Sequence, residues 1–163
     1  MNEEVVTSID EVIALLKRQA KTLTGEIGSL IDGDPLWSKL DAALRIKGIA
    51  DRSVARLLAE LPEIGVYSNK AVVKLAGLAP LAHDSGAMAG KRHIRGGRAG
   101  IRSILFLVAD IVRRFDQSLA AFHHKLTAAG KPKMVVRIAL ARKLLVRLNA
   151  KAREAREQYA LAT

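Results

Sequence analysis

From Ile9 to Leu30 the apolar residues recur at alternating intervals of four and three: Ile9, Ile13, Leu16, Ala20, Leu23, Ile27, Leu30. Only an α-helix brings such positions onto one stripe, and a stripe with this heptad spacing is a seam for a second helix. Gly25 and Gly28 weaken the helix by about 1 kcal/mol each. Ser8, with Glu11 three residues on, has the pattern of a capping box and predicts the helix start there, after a frayed 1–7. The seam has two readings: a helix packed on its own domain, or residues 9–30 pairing with a second copy to give a homo-oligomer.

Helical periodicity continues beyond the seam. Asp32-Gly33-Asp34-Pro35 breaks the first helix, and Asp34 with Pro35 caps and opens a second, ending near Leu44. On it Leu36, Trp37, Leu40 and Leu44 share a face, which makes Trp37 a core residue rather than a base-stacking one. A tight turn through Arg45-Ile46-Lys47-Gly48-Ile49-Ala50 leads to a third helix carrying Val54, Leu57, Leu58 and Leu61, with Asp51 or Ser53 as its cap. Leu61-Pro62-Glu63 ends it. A short helix capped by Ser68 or Asn69 follows, then one over 99–115, another from Leu119 to Ala128 and a last from about Lys133 to Ala160. Gly130-Lys131-Pro132 separates the last two. The first half of the final helix is apolar almost all round, which predicts a central, buried position. Its charged second half is expected to project. No alternating strand pattern is present, so the expected fold is all-α, with a helical segment over 1–31 and a helical domain over 34–163.

The chain of 163 residues is long enough for a real core, and its formal net charge is +11. That excess points to a polyanion, most simply nucleic acid. It is unevenly placed, with residues 1–64 close to balanced and the excess concentrated in 91–102 and 131–156. One tryptophan, two tyrosines and three phenylalanines argue against a protein that stacks successive bases on aromatic platforms. The absence of cysteine excludes disulfides and thiolate zinc sites and fits a cytoplasmic location. No apolar run approaches the roughly 18–20 residues of a membrane span, and no secretory leader is evident at the start.

Gly77 to Arg102 is both the most glycine-rich and the most basic stretch. It contains Asp84-Ser85-Gly86 and then Lys91, Arg92, Arg95, Arg98 and Arg102 without an acidic residue. Glycines allow a backbone to approach a phosphate closely, and arginines clamp one and stabilise charge developing on it. Ser85 alone reads as an ordinary turn residue, because a serine nucleophile needs a base or a cationic setting to activate it. A second phosphate site is offered by Lys47 and Gly48. A helix, a glycine turn and a second helix resemble the helix-hairpin-helix motif, whose turn amides hold phosphate without reading sequence. A plain helical hairpin accounts for those residues equally. His83 and His93 are isolated, and His123 and His124 are adjacent, so no metal site is expected within the chain. GGRAG lacks the strand and the Lys-Ser/Thr ending of a phosphate-binding loop.

In order and spacing, Leu61-Pro62-Glu63, Lys74 to Pro80, Asp84-Ser85-Gly86, Gly90-Lys91-Arg92, Ile94 to Arg98, Arg102 to Leu105, Gly130-Lys131-Pro132 and Ala141 to Leu145 resemble the C-terminal transposase domain of the insertion-sequence-110 family. The pilin-gene invertases belong to that group. The resemblance runs from about Leu40 to Ala150. It implies that Ser85 attacks a DNA phosphodiester and forms a covalent serine–DNA intermediate. DNA contacts would come from Lys47, Gly48, Lys91, Arg92, Arg95, Arg98 and Arg102. It also implies a coiled coil where residues 9–30 lie, a bacterial, nucleoid-associated setting, and a structured guide RNA as a further partner. Members of the family carry an N-terminal RuvC-like domain with four acidic ligands for Mg²⁺. That domain is not in this sequence, and Asp10, Asp32, Asp34 and Asp41 lie on a helix and a turn rather than at strand ends. The expectation is therefore an expressed domain or a truncated frame that binds nucleic acid and has little activity alone. A non-catalytic nucleic-acid-binding module and a helical oligomerisation domain are the alternatives.

Overall fold

A computed structural model describes residues 3–81 and 93–162. The chain divides into two compact units, Met1–Ser38 and Lys39–Thr163. The described residues form seven helices and one two-stranded ladder, so the fold is all-α.

The first unit is dominated by α1, Glu3–Asp32. It begins before Ser8, which corrects the predicted cap. Glu3 and Glu4 fill the first turn, where negative charge complements the helix N-terminus, and the Thr7 hydroxyl donates to the Glu3 carbonyl at 3.0 Å. No described residue of α1 is buried. Ile9, Ile13, Leu16, Leu23, Ile27 and Leu30 all stand exposed. Asp34 caps α2, Pro35–Leu44, as its sequence predicts. Its carboxylate accepts the N–H groups of Leu36 and Trp37 at 2.8 and 3.0 Å. Trp37 is half-buried.

The second unit is built around α5, Ala99–Val112, and α7, Lys133–Ala160, which form the largest helix pairing. Against α7 also pack α6, Gln117–Ala128, and α4, Asn69–Leu75; α3, Asp51–Glu60, packs on α5. Ile101, Leu105, Leu140, Leu144, Leu145 and Leu148 are fully buried. Each such side chain stabilises the fold by about 1.5–3 kcal/mol relative to an exposed one.

Helix ends follow local chemistry. The Ser68 hydroxyl accepts the Ala71 N–H at 3.3 Å, and Asp116 caps α6 through the Leu119 N–H at 2.8 Å. At the end of α4, Gly77 takes φ +66°, and the Leu78 N–H reaches back to the Val73 carbonyl at 3.0 Å, a glycine-closed helix stop. The start of α3 departs from expectation. Its cap is Ala50, with no side-chain hydrogen bond, and Asp51 instead pairs with Arg45 at 2.6 Å.

Two further findings were not evident in the sequence. Pro80–Leu81 (β1) and His93–Ile94 (β2) form an antiparallel ladder, Pro80 opposite Ile94 and Leu81 opposite His93. Two residues per strand are too few to show a period of two. The second half of α7 also packs rather than projecting. Ala152 and Ala155 are buried, and Arg153 and Arg156 donate to the carbonyls of Tyr67, Ile64 and Pro62 at 2.9–3.1 Å. Among the described residues, no helix is long and apolar enough to cross a membrane.

Candidate functional site

The glycine-rich stretch is anchored at both ends. The chain leaves the described residues along β1 and returns along β2. Ser85, Lys91 and Arg92, like His83 and Asp84, lie outside the described residues. What the structure describes is the base that holds this connection, and the turn Arg95-Gly96-Gly97-Arg98 that follows it.

That turn is held from three directions. The Arg98 N–H donates to the Leu75 carbonyl of α4 at 2.7 Å. From α5, Arg102 Nη1 donates to the Gly96 carbonyl at 2.7 Å. From the end of α3, the Glu60 carbonyl accepts Arg98 Nη1 at 2.8 Å. Just beyond it, the Glu63 carboxylate takes both terminal nitrogens of Arg98, at 2.6 and 2.5 Å. Gly97 has φ +68° and lies with its backbone against that of Gly77, so a Cβ on either would run into the other strand of chain. Glycine is needed at both for that close approach.

This geometry sorts the basic residues. The Arg98 hydrogen bonds hold the Glu63 carboxyl below its usual range, and Glu63 in turn raises the Arg98 guanidinium. Arg98 is thus tied to the protein through Glu63 and the Glu60 carbonyl. Arg102 has one nitrogen on a backbone carbonyl. Arg95 is exposed and has no ion pair among the described residues. Among the described residues, Arg95 alone of these three arginines has no ion pair or carbonyl partner, on a turn that its neighbours hold by hydrogen bonds.

Lys47 and Gly48 lie elsewhere. Gly48 has φ +100°, and a Cβ there would come 3.0 Å from the Val112 Cα, so the turn between α2 and α3 rests on the C-terminal end of α5. The Lys47 ammonium sits 5.0 Å from the centre of the Phe115 ring, a favourable cation–ring contact. Beside it a cleft of 440 Å³ is lined by Ile46, Phe115, Asp116, Arg147 and Lys151, among others. Arg147 there is paired with Asp116 at 2.6 Å. Arg95, Arg98 and Arg102 flank the N-terminal end of the same α5, whose 14 residues span roughly 20 Å at 1.5 Å each. The described residues of the two predicted phosphate sites are therefore separate, one group at each end of α5.

Among the described residues, no three His, Asp or Glu side chains lie close enough to hold a metal ion. Asp41 is buried against Arg45. The described residues do not fit a Mg²⁺ site.

Several residues that shape this region carry no sequence signal. Asn149, fully buried on α7, accepts the Gly65 N–H at 2.8 Å and donates to the Tyr67 carbonyl and the Asn69 side chain at 3.1 and 2.8 Å. It pins the segment that leads from Glu63 into α4. A half-exposed tyrosine and a lone asparagine in a leucine-rich helix look ordinary until their partners, over 80 residues away, are seen.

A family model described as Transposase IS116/IS110/IS902 family matches residues 41–124, just over half of the chain's 163 residues. A comparison with curated proteins finds none that matches.

Proposed function

The chain belongs to the IS116/IS110/IS902 transposase family, and on that premise we propose that it is a DNA-binding, strand-joining domain in which Ser85 is the nucleophile. The Ser85 oxygen forms a bond to a DNA phosphorus as the bond from that phosphorus to a deoxyribose oxygen breaks. The hydroxyl proton passes to solvent or a neighbouring base, and the departing oxygen takes one up. Because the phosphoester is conserved in the serine–DNA link, a new DNA hydroxyl can later displace the serine without any outside energy source. The matched residues 41–124 carry this reading, since they span Ser85 and the basic residues around it.

In this reading Lys91, Arg92, Arg95 and Arg102 contact the scissile and flanking phosphates, and Arg98 acts through Glu63 to keep their turn in place. Lys47 and Gly48, at the far end of α5, meet phosphates roughly six base pairs away, at 3.4 Å per step along a strand. Residues 9–30 join copies through the exposed seam of α1, and a structured RNA is a further partner. Any Mg²⁺ that the reaction uses is held by acidic residues other than those described here.

A nucleic-acid-binding module without catalysis is the second reading, favoured by the tight Gly48 turn between two helices. Covalent trapping separates the two. Labelled element-end DNA incubated with the active recombinase should yield a protein–DNA adduct that survives detergent and disappears with Ser85→Ala, while DNA binding persists. Undiminished strand exchange by Ser85→Ala would overturn the catalytic reading.

A further inference from the structure

Between α4 and the Arg95–Arg98 turn lies a cleft of 570 Å³, within the roughly 300–1,000 Å³ range of small-ligand sites. Ala71, Leu75 and Ala79 give it an apolar floor, and Tyr67, Lys74 and Arg95 stand around it. We propose that this cleft holds one unstacked nucleotide of a single strand, its base on the Tyr67 ring and its phosphates between Lys74 and Arg95. The proposal extends the DNA-binding reading above and does not involve Ser85.

Three observations carry it. First, Tyr67 is an exposed aromatic, 48 % accessible, on a backbone that is firmly held. Its N–H donates to the Glu63 carbonyl at 3.1 Å, and its carbonyl accepts from Asn149 and Arg153, both at 3.1 Å. A ring presented on so fixed a backbone loses little freedom when a base stacks on it. Second, neither Lys74 nor Arg95 has an ion pair among the described residues. Glu63, an acid of the same turn system, is paired with Arg98. Third, the wall formed by Gly96 and Gly97 has no side chains. Gly96, at φ +70°, has no described residue within 4 Å of where a Cβ would lie, so none of the described side chains covers its backbone.

Aromatic face, apolar floor and two cations without an ion pair among the described residues together match a nucleotide better than a peptide or a simple anion. A paired base is stacked on both sides and has no face to offer Tyr67, so the ligand must be unpaired. One such platform is compatible with the chain's scarcity of aromatic residues. Strand exchange requires that a cut strand leave its partner, and the cleft adjoins the ladder that anchors the Ser85 connection. A nucleotide parked there would keep a displaced strand apart from its partner.

The test uses fluorescence anisotropy with a blunt duplex, the same duplex with a five-nucleotide thymidine overhang, and that overhang made abasic. The wild-type chain should bind the overhang more tightly than either control. Tyr67→Ala should weaken overhang binding about tenfold, the range of single base–aromatic stacks, and leave blunt and abasic DNA unchanged, while Tyr67→Phe retains the preference. Lys74→Ala and Arg95→Ala should weaken overhang and abasic DNA alike. An RNA overhang run in parallel tells which strand the cleft prefers, and a Tyr67-dependent preference for either supports it. Photocrosslinking the unaltered chain to an overhang bearing 5-iodouracil should modify Tyr67, which keeps the idea testable even if Tyr67→Ala fails to fold. For Tyr67→Ala, equal loss on all three DNAs or no loss on the overhang, and for the unaltered chain crosslinks only elsewhere, would overturn the proposal. Failure of the blunt duplex to bind at all would instead count against the DNA-binding reading.

Discussion

Arg98 and Glu63 face each other across the base of the candidate site, two nitrogens on two oxygens at 2.6 and 2.5 Å. This fork ties the start of α5 to the segment that leaves α3. A residue that reads in the sequence as a phosphate contact also braces the fold.

Glu63→Gln should therefore lower thermal stability. The pair is partly exposed, 37 % for Arg98 and 22 % for Glu63, so the loss is set at about 1 kcal/mol rather than the full value of a buried fork. The pH dependence has a definite sign. Arg98 lowers the Glu63 pKa in the folded chain, below the ordinary 4.5. The stabilisation is thus fully present above that ordinary value and is lost as pH falls through the lowered one. The difference in Tm between wild type and Glu63→Gln should shrink as pH drops from neutral to about 3. A constant difference would contradict this role.

Asn149→Leu should be more damaging. It leaves the buried Gly65 N–H without its acceptor and releases the Tyr67 carbonyl and the Asn69 side chain. One stranded buried donor costs about 1–3 kcal/mol. Urea unfolding should show a lower midpoint, and amide exchange at 65–69 should speed up more than that in α5.

The adjacent glycines should respond differently to alanine. Both have positive φ, which costs an alanine roughly 1–2 kcal/mol. At Gly96 the described residues add nothing to that penalty, since none of them lies within 4 Å of its Cβ position. At Gly97 the new methyl also collides with Gly77, so Gly97→Ala should be clearly the less stable by thermal melting. Equal melting temperatures would show that the Gly77–Gly97 approach is not maintained.

Salt titrations should distinguish phosphate contacts from braces. Lys47→Ala and Arg95→Ala should weaken duplex binding across sequences and each reduce the slope of log K against log salt by about 1, with little change in Tm. Arg98→Ala should lower Tm instead. Binding that does not vary between low and moderate salt would count against a phosphate role for any of these residues.

The apolar seam of α1 has six exposed large residues between Ile9 and Leu30. Leu16→Asp with Leu23→Asp should dissociate any oligomer formed through it, seen as a drop in mass by sedimentation. A wild-type chain that is already monomeric at micromolar concentration would remove the coiled-coil proposal.

Much of this protein could be read along the chain. Helix positions followed from apolar spacing, and Asp34, Ser68 and Gly130 punctuated them as expected, because capping and turn chemistry act over three to five residues. Ser8 misled because a helix start is set by which turn is first stabilised, and Glu3 and Glu4 provide that earlier. The family resemblance and the basic, glycine-rich stretch were likewise legible, since both reside in residue order. What tertiary structure alone decided is the use of each charge. Whether an arginine meets a phosphate or a carboxylate depends on what lies opposite. For Arg98 that is Glu63, 35 residues away; for Arg153 and Arg156 it is carbonyls more than 80 residues distant. Composition counts those cations as one positive surface. The packing of α7 and α5 sets some of them against acids and carbonyls, where a guanidinium makes charge-assisted hydrogen bonds in a fixed geometry.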